Sequence, residues 1–193
     1  MAQTVSNVSA GKPAIGGAVS IAPLGTAVPT DATTALANTY KGLGYISEDG
    51  LVNSNSPETE QVKAWGGDVV LTSMTEKADN FQFTLLEVLN PDVLGFIYGE
   101  SNVSGTLAAG ISVNAKAEQD PGHVMVFDMI MRGGVLQRIV IPHAEISEIG
   151  DLEYTDSGAA GYQVTITCFP DADGATHHTY IKKPSAQNGE GNA

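Results

Sequence analysis

Residues 123–142, HVMVFDMIMRGGVLQRIVIP, consist of two apolar segments separated by a pair of glycines. The first segment, 123–132, is apolar on both faces apart from Asp128. Apolar segments on either side of a Gly-Gly pair predict two antiparallel strands joined by a tight turn. A strand with two apolar faces is typical of one that is covered on both sides. The stretch therefore predicts a β-hairpin whose first strand is buried.

A second unit of the same kind lies at KAWGGDVVLTS, residues 63–73, and contains the only tryptophan, Trp65. The flanking segments 59–65 and 68–74 are expected to pair as a hairpin around Gly66 and Gly67. Trp65 would bury a large apolar area there, either in the core or at a contact between subunits. The sequence leaves both positions open.

The rest of the chain is read as short strands, one helix and polar loops. The segment NPDVLGFIYG predicts an α-helix over about residues 90–98, because Asn90 can cap it, Pro91 suits its first position and Gly99 can end it. Further strands are expected at 18–25, 43–47, 81–89, 106–117, 162–170 and 176–184. The polar segments 48–60 and 76–80 predict a loop and a turn. This pattern indicates a mainly β fold, an antiparallel β-sandwich or barrel-like structure with extended loops and termini.

The 193 residues suit a single domain. Residues 1–17 are rich in small and polar residues and predict a flexible N-terminal arm. Residues 18–184 are expected to form the β-sandwich domain, and 185–193 a disordered C-terminal tail.

The negative net charge of the chain limits the kinds of partner that it can bind. The chain has 9 basic and 22 acidic residues, a formal net charge of −13. Such a chain repels nucleic-acid phosphates and anionic membranes, because binding them requires lysines and arginines. The N-terminus has neither a basic start nor a continuous apolar stretch, and no run approaches the roughly 18–20 apolar residues of a membrane span. We therefore expect a soluble protein made in the cytoplasm.

The residues that could carry chemistry are few. His177 and His178 are adjacent in a predicted strand and point to opposite faces, so they cannot readily share a metal ion. Cys168 falls within an alternating apolar set, which favours burial in the core. Acidic residues within 48–60 and 145–156 could form a carboxylate pair, although a solvated acidic loop is commoner. The sequence thus predicts no catalytic residue, no metal, no cofactor and no enzymatic activity.

Five segments, in the same order over about residues 20–183, resemble the major tail tube proteins of long, flexible-tailed bacteriophages (siphophages). These segments are APLGTAVPTDATTALANTYKGLGYISEDGL (22–51), NSNSPETEQVKAWGGDVV (53–70), FTLLEVLNPDVLGFIYG (83–99), RIVIPHAEISEIGDLEYTDSGAAGYQVTITCFPDADG (138–174) and HTYIKK (178–183). The resemblance implies a β-sandwich subunit that forms hexameric rings, stacked as a tube through which DNA passes to the host cell. It implies the tape measure protein and the tail-tip and terminator proteins as partners. It also implies synthesis in the bacterial cytoplasm and a place in the virion tail, without membrane binding.

Under this resemblance, some residues become candidates for particular surfaces. An acidic lumen would keep DNA mobile, because lysines there would bind phosphates. The acidic candidates for the lumen are Glu58, Glu60, Asp68 and Asp128, each of which could equally be an ordinary outer-surface acid. The candidates for contacts between subunits are Trp65, Val124, Val126, Met129 and Met131. The last four belong to the doubly apolar strand 123–132, which suits burial by its own core on one side and by a neighbour on the other. The candidates for contacts between rings, besides the N-terminal arm, are Glu48, Asp49, Asn53 and Asn55 in the predicted loop.

Two other functions compete with a self-assembling tube. A virion decoration or adhesion module with a similar sandwich would bind a surface ligand and stay a small oligomer. An enzyme, for example a hydrolase, would use the acidic loops. The absence of a motif that combines His, Cys and carboxylates argues against the enzyme.

Overall fold

A computed structural model describes residues 4–14 and 17–184 of the chain. The strands, in chain order, are β1 (Gly11–Pro13), β2 (Val19–Pro23), β3 (Lys41–Gly42), β4 (Val52–Lys63), β5 (Val69–Leu85), β6 (Val103–Thr106), β7 (Gly110–Val113), β8 (His123–Met131), β9 (Val135–Ile149), β10 (Tyr162–Cys168) and β11 (His178–Lys182). The α-helix α1 (Pro91–Tyr98) lies between β5 and β6. Short 3₁₀ segments occupy Val5–Asn7, Glu100–Asn102 and Arg132–Gly134.

Most strands join one antiparallel sheet. Its order is β3-β2-β8-β9-β10-β5-β4, with β1 also paired to β8 and β11 also paired to β9. Strands β6 and β7 form a separate hairpin. The prediction of a mainly β, antiparallel fold with one helix is confirmed, but the sheet does not close into a barrel. In the described part of the chain, β3 and β4 lie at the two ends of the order.

The central pair β8 and β9 is the hairpin predicted from residues 123–142. It turns at Gly133 and Gly134, whose φ values of 76° and 74° favour glycine. Met125 and Phe127 face the main core, while Val124 and Val126 are buried on the opposite face. The strand is covered on both sides, but the subunit itself covers the face that was expected to meet a neighbour.

Alternating aromatic and aliphatic residues of β5 fill the main core. Phe81, Phe83 and Leu85 are buried, as their spacing predicted. The ring of Phe127 on β8 lies with its centroid 5.8 Å from that of Phe81 and 5.4 Å from that of Phe83. These contacts link two strands that are distant in the sequence.

Helix α1 covers one side of this core and has the ends that the sequence predicted. The Asn90 side chain accepts a hydrogen bond from the backbone N–H of Asp92 at 3.0 Å, and Gly99, with φ of 88°, follows the last turn. Val93 and Phe96 are buried against the sheet.

Two polar segments do not form the predicted loop and turn. Residues 48–60 were expected to be a loop and 76–80 a turn, yet most of the first belongs to β4 and all of the second to β5. The reason is that the two strands pair with each other from Val52 opposite Gln82 to Lys63 opposite Val69. Backbone hydrogen bonds hold this ribbon, so its exposed side chains need no apolar periodicity.

Smaller differences occur elsewhere. The strand expected at 43–47 is reduced to an isolated bridge between Ile46 and Leu85, next to the two-residue β3. The strand region 106–117 is the β6–β7 hairpin. Within the N-terminal arm, which was expected to be flexible, β1 pairs with Met129–Met131. The predicted C-terminal tail, 185–193, lies outside the described residues.

The outer face of β8 and β9 carries a partly buried ion pair. The Arg138 guanidinium donates to both carboxylate oxygens of Asp128, at 2.6 and 3.0 Å. It also donates to the backbone carbonyls of Thr34 at 2.7 Å and Asp31 at 3.1 Å. Arg138 thereby fastens the long connection between β2 and β3 to the sheet.

Replacing Arg138 by Met should lower the free energy of unfolding by about 3 kcal/mol, because it leaves the Asp128 carboxylate without its partner. Urea denaturation measures this change. The matched control is Arg132→Met, which removes an exposed arginine from the β8–β9 turn and should cost less than about 0.5 kcal/mol. Equal losses in the two variants would contradict the role of the ion pair.

Candidate functional site

The most exposed part of the fold is the end of the β4–β5 ribbon, residues 56–74, here called the distal hairpin. Every side chain in it is exposed. Ten residues of extended chain, at about 3.3 Å each, separate Asn55 from Trp65, a span of roughly 33 Å. The distal hairpin therefore protrudes from the body of the subunit.

Two glycines shape the turn of the distal hairpin, and the hairpin predicted for 59–74 is confirmed. Gly66 and Gly67 have φ values of 118° and 98°, which side chains other than glycine rarely adopt. The N–H of Ala64 donates to the carbonyl of Asp68 at 2.8 Å, and the N–H of Gly67 donates to the carbonyl of Ala64 at 3.0 Å. Trp65 is thus held at the very end of the ribbon.

Trp65 does not lie in the core, since its relative exposure is 106%. Other large apolar side chains of the distal hairpin are also exposed, namely those of Val62, Val69, Val70, Leu71 and Met74. In the strand register Val62 lies opposite Leu71, whereas Met74 lies opposite Thr59 on the other face. Both faces of the ribbon therefore carry apolar groups in contact with water, which is typical of a surface that binds another protein.

Three of the four acidic candidates for the lumen lie on this element. Glu58, Glu60 and Asp68 are exposed on the distal hairpin. The fourth, Asp128, is held by Arg138 within the sheet. The sequence contained a signal for this pair, because Asp128 and Arg138 are equally far from Gly133 along the chain and the hairpin register places them opposite each other.

The other candidates for contacts lie in different environments. Val124 and Val126 are each only 1% exposed, so the subunit itself already covers them. Met129 and Met131 are half-buried where β1 pairs with β8. Glu48 and Asp49 are exposed in the turn before β4. Asn53 and Asn55 belong to β4 and not to a loop.

A buried carboxylate anchors the root of the distal hairpin. Asp79 is 1% exposed and accepts hydrogen bonds from the Thr176 hydroxyl at 2.6 Å and from Nδ1 of His177 at 2.6 Å. It also accepts one from the Asn53 amide at 2.8 Å. Burial by itself would raise the pKa of Asp79, but these donors outweigh it and lower the pKa below its usual value of 3.8.

The residues considered for metal or covalent chemistry have structural partners. His177 pairs with Asp79, and Nε2 of His178 lies 2.8 Å from Oδ2 of Asp171. Cys168 is buried, as expected, and burial together with the charge of Asp79 raises the pKa of its thiol to about 12. Residues 4–14 and 17–184 contain no group of three or more His, Cys, Asp or Glu side chains that could hold a metal ion.

A groove of about 970 Å³ runs beside α1, between the end of β2 and the segment before β8. Apolar side chains contribute much of its lining, among them Ile21, Leu24, Phe96, Ile97, Ile146 and Ile149. We call it the α1 groove. It escaped the sequence analysis because its walls come from segments far apart in the chain.

Charged side chains at the rim of the α1 groove are paired. Lys41 donates to Glu100 at 2.8 Å, and the ammonium of Lys116 lies 3.8 Å from the Glu118 carboxylate. Asp120 lies 3.1 Å from His123. The rim therefore offers carboxylate oxygens while much of its negative charge is balanced locally.

A sequence-family model described as phage tail tube protein matches residues 5–190. The chain belongs to this family. The match confirms the resemblance to phage tail tube proteins and makes the protein a structural component of the phage tail. No curated protein matches the chain. Within the described part of this tail tube protein, no helix is long and apolar enough to cross a membrane.

Replacing Asp79 by Asn should lower the free energy of unfolding of the tail tube protein by about 2 kcal/mol at pH 7, because charge-assisted hydrogen bonds are lost. A carboxylate with a lowered pKa stabilises the fold above pH 3.8, its usual pKa, and this stabilisation is lost as the pH falls further. Urea denaturation at pH 7 and pH 3 should therefore show a weaker pH dependence in the variant.

The control for this prediction is Asp68→Asn, which removes an exposed carboxylate from the hairpin turn. It should change stability by less than about 0.5 kcal/mol at pH 7 and keep the pH dependence of the wild type. The anchoring role would be refuted by an equal pH dependence in the two variants.

Proposed function

We propose that this tail tube protein assembles into hexameric rings, and that the rings stack into the tube of a long, flexible phage tail. The distal hairpin is the observation that carries the proposal. An isolated two-stranded ribbon is at best marginally stable in water, and here both faces of the ribbon carry exposed apolar side chains. Neighbouring subunits would cover them.

The edge of the sheet supports the same conclusion. Among the described residues, no strand pairs with the outer edge of β4, which is twelve residues long. It contains Pro57, a residue tolerated mainly on edge strands. Long unpaired edges are templates for pairing with another chain. A ring of subunits that pair along such edges buries them, because each edge meets a different surface of its neighbour.

Charge supports the passage of DNA through the tube. The formal net charge is −13, and the side chains of Glu58 and Glu60 are exposed on the strand β4 of the distal hairpin. In the proposed tube these carboxylates face the lumen and repel the duplex, so that DNA slides without binding. Asp68 lies in the turn of the distal hairpin, and Asp128 contributes less because Arg138 neutralises it.

Family membership supports the remaining assignments. The tape measure protein occupies the lumen before DNA is released, and tail-tip and terminator proteins contact the tube. The subunit is made in the bacterial cytoplasm, where its single cysteine stays reduced. Met129 and Met131, which are half-buried, remain candidates for contacts between subunits. Glu48 and Asp49 remain candidates for contacts between rings.

A virion decoration or adhesion module is the second candidate. The α1 groove favours it, because a concave, largely apolar site of this size can hold a surface ligand. Such a module would remain a small oligomer at every concentration.

Electron microscopy of the concentrated protein separates the two functions. The wild type should form hollow rings or tubes, and Trp65→Ala should reduce the pelletable assembly at least tenfold by removing a large apolar contact. The matched control Tyr154→Ala removes another exposed aromatic residue and should assemble like the wild type. Uniform small particles, even after addition of purified tail tips, would contradict the tube.

The acidic lumen makes a separate prediction. Tubes of the Glu58→Lys/Glu60→Lys variant should retain short duplex DNA in a pelleting assay at 50 mM salt at least tenfold better than wild-type tubes, because lysines release counterions from DNA. The control Glu153→Lys/Asp156→Lys makes the same charge change at exposed positions outside the hairpin. Equal retention by both variants would place Glu58 and Glu60 outside the lumen.

A further inference from the structure

We infer that the α1 groove receives the hairpin tip of a neighbouring copy of this chain, with Trp65 as the side chain that enters it. The hairpin tip is defined as residues 62–71. This inference rests on the proposed assembly and names the two surfaces that meet in it.

The hairpin tip has the properties of an inserted element. Trp65 is fully exposed, and Val62 and Leu71 are 48% and 56% exposed. The backbone of the turn is nevertheless ordered by its hydrogen bonds, so the indole is presented on a defined ribbon. A rigid aromatic side chain on such a support loses little conformational entropy when it binds.

The α1 groove matches an indole in size and chemistry. Its volume of about 970 Å³ exceeds what one side chain needs, so the flanking valines of the tip also fit. A buried indole N–H requires an acceptor. Glu100 and Glu118, whose side chains are exposed, place carboxylate oxygens in the lining of the groove beside its apolar side chains.

Charge does not oppose this contact, although the subunits as a whole repel each other. The hairpin tip carries one base, Lys63, and one acid, Asp68. The carboxylates at the rim of the groove are close to Lys41, Lys116 and His123. Because the tip has no net formal charge, and Lys41 and Lys116 offset part of the negative charge of the groove, the approach of the two surfaces costs little electrostatic energy.

The proposed occupant of the α1 groove is the hairpin tip of a second copy of this chain. Trp65 makes almost no contact within its own subunit, and the groove of another copy offers it an apolar lining. A contact between the tip of one copy and the groove of the next leaves one free tip and one free groove at the ends of the pair. Such a heterologous contact adds further copies until a ring closes or a helical stack grows. The geometry therefore couples docking to polymerisation.

Engineered disulfides test the contact. The variant Ala64→Cys/Ala115→Cys keeps Trp65 and joins the tip to an exposed residue of the groove, whereas Ala64→Cys/Tyr154→Cys joins it to an exposed residue elsewhere. The native Cys168 is buried and does not interfere. After mild oxidation, the first variant should give a ladder of dimers and higher oligomers on a non-reducing gel, at least tenfold above the control.

Electron microscopy of the same samples distinguishes the two possible failures. If tubes form but the two variants cross-link equally, the groove does not receive the tip and the proposed tube function stands. If neither cross-links nor larger assemblies form at any concentration, both the docking and the tube are overturned. Because Ala64→Cys, Ala115→Cys and Tyr154→Cys replace exposed residues, both variants should keep the circular dichroism spectrum of the wild type.

Discussion

A two-stranded ribbon without a core of its own must be held at its root, and the buried Asp79 carboxylate does this here. Its three donors come from β4 and from the segment just before β11, which are more than a hundred residues apart in the chain. The ring of His177, one of these donors, also makes an edge-to-face contact with the ring of Phe81. This contact links the hydrogen bonds around Asp79 to the aromatic core. The direction of the distal hairpin therefore depends on one charged group shared by three chain segments.

Asp79 lies where two parts of the subunit meet, the body with its hydrophobic core and the protruding distal hairpin. In the body, aromatic residues of β5 and β8 pack under α1, and Arg138 fastens the opposite face. In the distal hairpin, apolar side chains remain in water on both faces. The distal hairpin keeps the stability of the body separate from association, because its residues proposed to meet a neighbour are not those that fill the core.

The sequence predicted those parts of the fold whose signals are local. Gly133 and Gly134 between apolar segments, the alternation of Phe81 with Phe83, and the cap at Asn90 each specify structure over a few residues. Strand β4 was missed because an exposed ribbon stabilised by backbone pairing needs no apolar period. The α1 groove was missed because it depends on packing between distant segments. The sequence left Trp65 open between the core and a contact with another subunit, and only the structure shows that it lies outside the core.

Hydrogen–deuterium exchange, compared between the free subunit and assembled tubes, tests the central claim that neighbouring copies cover the distal hairpin. Amide hydrogens of residues 56–74, and those of residues 114–122 beside the α1 groove, should exchange at least tenfold more slowly in the tube. Peptides from the buried strand β8 serve as the internal reference and should change little. Unchanged exchange across residues 56–74 in well-formed tubes would contradict the account.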